Sequence, residues 1–199
     1  MDRVKSKRGR PRSFDAEAAL EVGQRLFHAQ GYDAVGLAAL TEALGVKPPS
    51  FYVAFGSKAD FFARILDRYA RSVLALEEIL VPGRPPAEAL TDLLEGAART
   101  YAAHPERRGC LVLEAARGVD DSDSAKLARR VAESRRAQIR AFVAVSHPDA
   151  AGLVTDFVAS TMSGLSASAR EGMDEERLVA VARTAAAALR LLLTQNDGA

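Results

Sequence analysis

The stretch Ala38-Ala39-Leu40-Thr41-Glu42-Ala43-Leu44-Gly45-Val46-Lys47-Pro48-Pro49-Ser50-Phe51-Tyr52-Val53-Ala54-Phe55-Gly56-Ser57-Lys58 decides how this chain is read. Leu37, Leu40, Thr41 and Leu44 share one face at helical spacing, which predicts a short amphipathic helix between Gly36 and Leu44. Gly45 ends it, because glycine accepts the left-handed backbone that a helix C-terminus often needs. Pro48 or Pro49 then opens a second helix: proline's missing N–H costs nothing in a first turn, whose amides lack intrahelical partners. With Phe51, Ala54 and Phe55 packed inward, Lys47, Ser50 and Tyr52 face outward near the start of that helix.

Outward from this stretch, helix punctuation organises the rest. Asp15 is the expected cap of a first helix carried by Leu20, Gln24, Leu26 and Phe27 to a stop at Gly31. Ser57 caps a long connector in which Phe61, Phe62, Ile65, Leu66, Tyr69, Val73, Leu76, Ile79 and Leu80 keep helical spacing. Pro82-Gly83-Arg84-Pro85-Pro86 breaks the connector, and helices are predicted over 87–103 and 106–117. The acidic turn Asp120–Asp123 precedes a charged helix ending before His147-Pro148, and two last helices span about 149–170 and 174–194, hinged at Glu171-Gly172. No long alternating run of β-branched residues supports a sheet, and 48% hydrophobic content over 199 residues suffices for a sizeable core. The expected fold is all-α, with about nine helices and no internal repeat.

Two short helices joined by a tight turn resemble a DNA-binding helix-turn-helix, whose second helix offers its N-terminal residues to the major groove. The run from Arg10 to about Leu66 resembles the DNA-binding domain of a TetR-family transcriptional regulator, through Gly31-Tyr32, Leu40…Leu44-Gly45-Val46 and Ser50-Phe51-Tyr52-x-x-Phe55-x-Ser57-Lys58. The family usually has two hydroxyl residues before its second helix, where this chain has Val35 and Gly36. Its recognition helix starts with Pro48-Pro49, so bases read by relatives do not transfer. The resemblance implies a three-helix DNA-binding domain (14–57), a helical effector-binding and dimerisation domain (58–199), and regulation, most commonly repression, through a small-molecule effector. It also implies that Tyr52 and Lys58 contact phosphate, while Lys47, Pro48, Pro49 and Ser50 lie where base edges are read.

The net charge of +1 names no partner, but residues 1–13 carry six cations against one acid and read as a disordered basic arm. Before a helix-turn-helix, Arg8, Arg10 and Arg12 suit phosphate contact or a narrow minor groove; alone, such a segment would read as a solubilising tail. At the other end, the last two helices are poor in charge. Leu153, Phe157, Val158, Met162 and Leu165, with Leu178, Val181, Ala185, Leu189 and Leu192, give wide apolar faces. They form either one protomer's core or, as in the resembling family, a four-helix bundle with a second copy.

In the body, Tyr69, Tyr101, Leu111, Leu113 and Phe142 lie on helices that surround the family's ligand cavity, and equally suit ordinary core. The chain's one cysteine, Cys110, excludes an intrachain disulfide framework. Its segment Gly109-Cys110-Leu111 resembles an element of one branch of these regulators; Arg107 and Arg108 beside it would favour a thiolate if they point toward it, and a buried inert thiol fits as well. His28, His104 and His147 show no metal spacing, and no phosphate loop or catalytic Cys/His arrangement is present, so no metal, cofactor or enzymatic activity is expected. No signal peptide and no run near the ~18 apolar residues of a membrane span is visible, which points to a cytoplasmic protein. The competing function is a helical DNA-binding regulator that acts constitutively or through a protein partner, without a small molecule.

Overall fold

The computed structural model describes residues 15–118 and 122–194. The basic arm with Arg8, Arg10 and Arg12, and Asp120 and Asp121 of the acidic turn, lie outside them. The chain runs α1 (Ala16–Gln30), α2 (Leu37–Ala43), α3 (Pro48–Phe55), α4 (Lys58–Ser72), α5 (Leu76–Ile79), α6 (Pro86–Ala102), a 3-10 turn (Pro105–Arg107), α7 (Leu111–Ala116), α8 (Asp123–Ala144), α9 (Ala151–Arg170) and α10 (Glu175–Thr194). Among the described residues there is no strand, and nine helices have six residues or more, with α5 a single turn. The fold is all-α, as expected.

Local chemistry accounts for most boundaries. Asp15 Oδ1 accepts the Glu17 and Ala18 amides at 3.0 and 3.1 Å, so α1 starts with orphan donors satisfied. Ser57 and Asp60 form a reciprocal capping box at the head of α4. Gly45 turns the chain between α2 and α3 at φ 64°, and Pro48 and Pro49 occupy the first turn of α3.

The N-terminal head, α1–α3 with the start of α4, is held by phenylalanines. Phe27, Phe51, Phe55, Phe61 and Phe62 are all but fully buried, with ring centroids 4.4 Å apart for Phe55–Phe61, 5.1 Å for Phe27–Phe62 and 5.3 Å for Phe51–Phe61. Each tilted or edge-on pair adds about 0.5–1.5 kcal/mol to its area burial. In the body α6 packs against α9 and α10, while α8 lies across α4, α7 and α9.

The connector departs from its apolar pattern. Instead of one helix to Leu80, the chain opens at Val73 (φ −105°, ψ 114°) and Leu74 (φ 55°) before restarting as α5. The physical reason comes from α8: Arg135 donates to the Ala70 and Leu74 carbonyls at 2.5 Å each, capturing acceptors at the end of α4.

The apolar faces of the last two helices also divide. Val158, Leu165, Leu178 and Leu189 are buried inside the protomer against its other helices and offer nothing to a second copy. Leu153 (60% exposed) and Val181 (47%) face outward, with Phe157, Ala185 and Leu192 half-buried. Two packed helices each turn one stripe to the core, and periodicity alone cannot say which.

Gly109, at φ 80°, donates its N–H to the Tyr101 carbonyl at 2.9 Å, and a Cβ there would sit 3.0 Å from both the carbonyl O and Oγ of Ser166. Gly109→Ala therefore costs at least about 1–2 kcal/mol, expected as a melting temperature lower by roughly 2–8 °C in a circular-dichroism melt. An unchanged melt would show that this loop relaxes at no cost.

Candidate nucleic-acid interface and effector cavity

Helix α3 exposes nearly everything except its two phenylalanines. Lys47, Pro48, Pro49 and Ser50 are exposed at its N-terminal end, Tyr52 is 51% exposed, and Val53 is 89% exposed. No residue from Pro48 to Phe55 is charged. With Phe51 and Phe55 locked in the aromatic cluster, the outward orientation of Ser50 and Tyr52 follows from helical geometry. The Tyr52 ring stands edge-on to Phe51 at 6.0 Å, which steadies a hydroxyl that reaches away from the protein.

Lys58 is placed differently from its neighbours. Its Nζ donates to the Tyr32 carbonyl at 2.7 Å and lies 3.9 Å from the centre of the Tyr32 ring, and partial burial lowers its pKa. It ties the start of α4 to the loop after α1, a structural task that its position in the sequence did not reveal.

Within the body, α4, α6, α7, α8 and α9 enclose a mostly apolar cavity of about 60 Å³. Tyr69, Tyr101, Cys110 and Leu113 line it together with Leu93, Val112, Ile139 and Met162. Met162 thus faces the cavity, where its helix face had suggested a partner subunit. Leu111 and Phe142 do not line it. On α7 the side chains of Leu111 and Leu113 diverge by about 200°, so Leu111 is buried toward Phe27, Tyr32 and Phe62. Phe142 falls a turn past Ile139 and borders an open groove with Leu80 and Pro86.

Two features of the cavity wall were not legible in the sequence. Arg135 stands beside it, held by the broken end of α4, and burial lowers its pKa. Arg135 is also the cation that faces Cys110, whereas Arg108 is turned away to the Met173 carbonyl at 2.9 Å. Tyr101 Oη is completely buried with no hydrogen-bond partner among the described residues. Burial, with the Cys110 sulfur next in importance, holds the Tyr69 and Tyr101 phenols well above the ordinary tyrosine range, so both are neutral.

Residues 19–65, covering α1 to the middle of α4, match the family described as bacterial regulatory proteins, tetR family. The chain is 41% identical over 188 residues to the HTH-type transcriptional repressor BdcR of Escherichia coli (strain K12), covering 94% of this chain and 95% of that one. It belongs to the TetR family. A second repressor of the same organism, ComR, is 31% identical over 193 residues, with 91% of each chain covered. Among solved structures, a cysteine mutant of the TetR family transcriptional regulator CifR, complexed with 26 bp double-strand operator DNA, superposes with a TM-score of 0.76 at 31% identity, covering 90% of this chain and 99% of that chain. The protein is a DNA-binding transcriptional regulator of helix-turn-helix type. Among the described residues no helix is long and apolar enough to cross a membrane.

In this TetR-family chain a polar route joins the cavity wall to the DNA-binding head. The Cys110 amide donates to Ser166 Oγ at 2.9 Å, and Ser166 Oγ donates to Glu114 Oε1 at 2.9 Å. Glu114 Oε2 pairs with Arg170 Nε at 3.5 Å, and Arg170 Nη2 donates to the His28 carbonyl, near the end of α1, at 3.1 Å. His28 itself stacks edge-on against the cavity residue Tyr69 at 5.8 Å. None of Ser166, Glu114, Arg170 or His28 stands out in the sequence, because their partners are 52 to 142 positions away.

Burial, reinforced by Arg170, lowers the His28 pKa from 6.5 to about 4. Above pH 6.5 His28 is neutral in both folded and unfolded states; as pH falls from 6.5 toward 4 the unfolded chain takes the proton first, and stability is lost. Between pH 8 and 5 this amounts to about 2 kcal/mol. Urea unfolding at the two pH values is expected to show that loss, and a His28→Gln variant is expected to lose most of the difference. An equal pH dependence in both proteins would remove His28 as its source.

Proposed function

We propose that the protein is a homodimeric repressor that leaves its operator when a small molecule occupies the cavity of the body. The observation that carries this reading is the exposed, uncharged face of α3 on a rigid aromatic head, supported by the operator complex of the similar CifR. Lys47, Pro48, Pro49 and Ser50 read base edges: Lys47 and Ser50 by hydrogen bonding, the two prolines by apolar contact such as with thymine methyls. Tyr52 and the arm residues Arg8, Arg10 and Arg12 hold phosphates and fix the register. Lys58 donates one N–H to the Tyr32 carbonyl and keeps two for a phosphate, so it both positions the head and holds the backbone.

The dimer forms through α9 and α10, by the faces that carry Leu153, Phe157, Val181, Ala185 and Leu192. A two-fold axis sets two α3 helices for half-sites about 34–36 Å apart or a multiple of it. Residues 14–57 serve as the reading head and 58–199 as the sensing and pairing body, in a cytoplasmic protein. The Gly109-Cys110-Leu111 segment, characteristic of one branch of the family, is where an occupant of the cavity would pull on Ser166, Glu114 and Arg170 and so shift α1. Differential binding of about 3 kcal/mol between the two head arrangements changes operator occupancy more than a hundredfold.

Two experiments test this. Operator and random DNA are titrated by fluorescence anisotropy: Tyr52→Phe is expected to weaken both alike by roughly 2–10-fold, and Lys47→Ala to cost about 1–3 kcal/mol on operator and markedly less on random DNA. Unaltered affinity in both variants would remove α3 from the interface. By sedimentation, Leu153→Arg with Val181→Arg is expected to give folded monomers; Leu189→Arg, which buries a charge, is expected not to fold. A dimer persisting in the double variant would sink the proposed interface.

A further inference from the structure

The wall of the body cavity carries two guanidinium groups, Arg135 and Arg136 of α8, and no carboxylate. Neither arginine forms an ion pair among the described residues. Arg135 is half-buried and gives one N–H each to the Ala70 and Leu74 carbonyls, so three of its five donors have no protein acceptor among the described residues. Glu77, whose charge reaches Arg135, is exposed on a neighbouring groove and does not pair with it. A cation drawn out of water without a counter-ion is unfavourable, and a carboxylate is the partner that the guanidinium fork fits best. An ammonium would meet two like charges, and an uncharged occupant would leave Arg135 uncompensated. Ala70, Leu76 and Arg135 also line that groove, an open one of about 330 Å³, so the guanidinium stands where the cavity meets a route to solvent. The cavity itself, about 60 Å³, equals the liquid volume of roughly two waters and so admits a tail of about two carbons.

The backbone beside Arg135 is a second, independent observation. Leu74 is the one described residue other than glycine with a positive φ, 55°, a conformation that a bulky side chain adopts only under constraint. Its carbonyl is one of the two that Arg135 holds, while the apolar spacing on either side suits an unbroken helix. Arg135 therefore keeps the break between α4 and α5 open.

We propose that Arg135 anchors a short carboxylate, whose oxygens pair with the guanidinium at the mouth of the cavity and whose apolar tail enters between Leu93, Leu113, Ile139 and Met162. This rests on reading the body as the effector site and names the class of effector. Hydrogen bonds between two charged groups are stronger than those to a neutral carbonyl, so the carboxylate competes with Ala70 and Leu74 for Arg135. Released from Arg135, Leu74 returns toward the helical φ that its surroundings in the sequence favour. The end of α4 that carries Tyr69 then moves, and Tyr69 is the wall residue that stacks on His28 of α1.

The test uses propionate, its size-matched analogues propionamide and n-propylamine, and the bulkier pivalate, at constant ionic strength on the full chain. Affinity and backbone response are read together from amide NMR spectra. Propionate is expected to bind at least tenfold more tightly than each of the other three and to shift the Leu74 and Ala75 amide resonances. Arg135→Gln is expected to weaken propionate at least tenfold and to leave propionamide unchanged; where that variant fails to fold, the four ligands on the parent protein decide the outcome. Undetectable propionate binding, or propionamide, propylamine or pivalate binding as tightly as propionate, overturns the proposal. So does bound propionate that leaves Leu74 and Ala75 unmoved, or equal propionate affinity in the parent and a folded Arg135→Gln. Release of a DNA fragment selected by the protein from a genomic library is followed in parallel. Arg135-dependent propionate binding that leaves DNA affinity unchanged supports the carboxylate site and overturns the effector reading. Release by propionamide or propylamine and not by propionate overturns the class and leaves the effector reading standing.

Discussion

Phe61, Phe62, Ile65, Leu66 and Tyr69 stand on one face of α4 at helical spacing, and all five are buried. The first two complete the aromatic core of the head, while Tyr69, two turns on, stands in the wall of the cavity. One helix therefore belongs to two cores at once. Because packed side chains do not deform continuously, a displacement of the Tyr69 end of α4 moves the Phe61 end too. The placement of α3, which rests on Phe51 and Phe55 against Phe61, depends on this shared face.

Polar contacts refine what that face begins. Arg135 takes the Ala70 carbonyl of α4 and the Leu74 carbonyl just past its end, where Val73 and Leu74 line the cavity. Arg68 adds a second tie between α4 and α1, donating to Gln24 Oε1 at 2.7 Å beside Glu17. Arg170 and Glu114 link α9 and α7 to the end of α1. The exposed pairs in this set contribute little each, about 0–1 kcal/mol. Their importance lies in direction, since they tie the wall around Cys110 to the helix that precedes the DNA-binding turn.

Much of the fold was legible because its causes are local. Asp15 and Ser57 act on amides two or three residues away, Gly45 sets its own backbone angle, and Pro48-Pro49 can only begin a helix. The same locality explains what was misjudged. The apolar run from Lys58 to Leu80 has perfect helical spacing, and only a guanidinium from a residue some sixty positions later breaks it. Leu111 and Leu113 looked equivalent because composition does not register that they diverge around a six-residue helix. Lys58 matched a family position, and the further bond of its amine to a carbonyl 26 residues earlier has no signal in that motif.

By itself, the sequence determined an all-helical chain with a helix-turn-helix near its start, along with the caps and turns that bound it, because these follow from interactions within a few residues and from helical periodicity. Tertiary structure alone decided which stripe of α9 and α10 is core, where α4 stops, and which side chains enclose the cavity. Those outcomes depend on which surfaces meet across tens to more than a hundred residues, and pairings of that kind have no period to read.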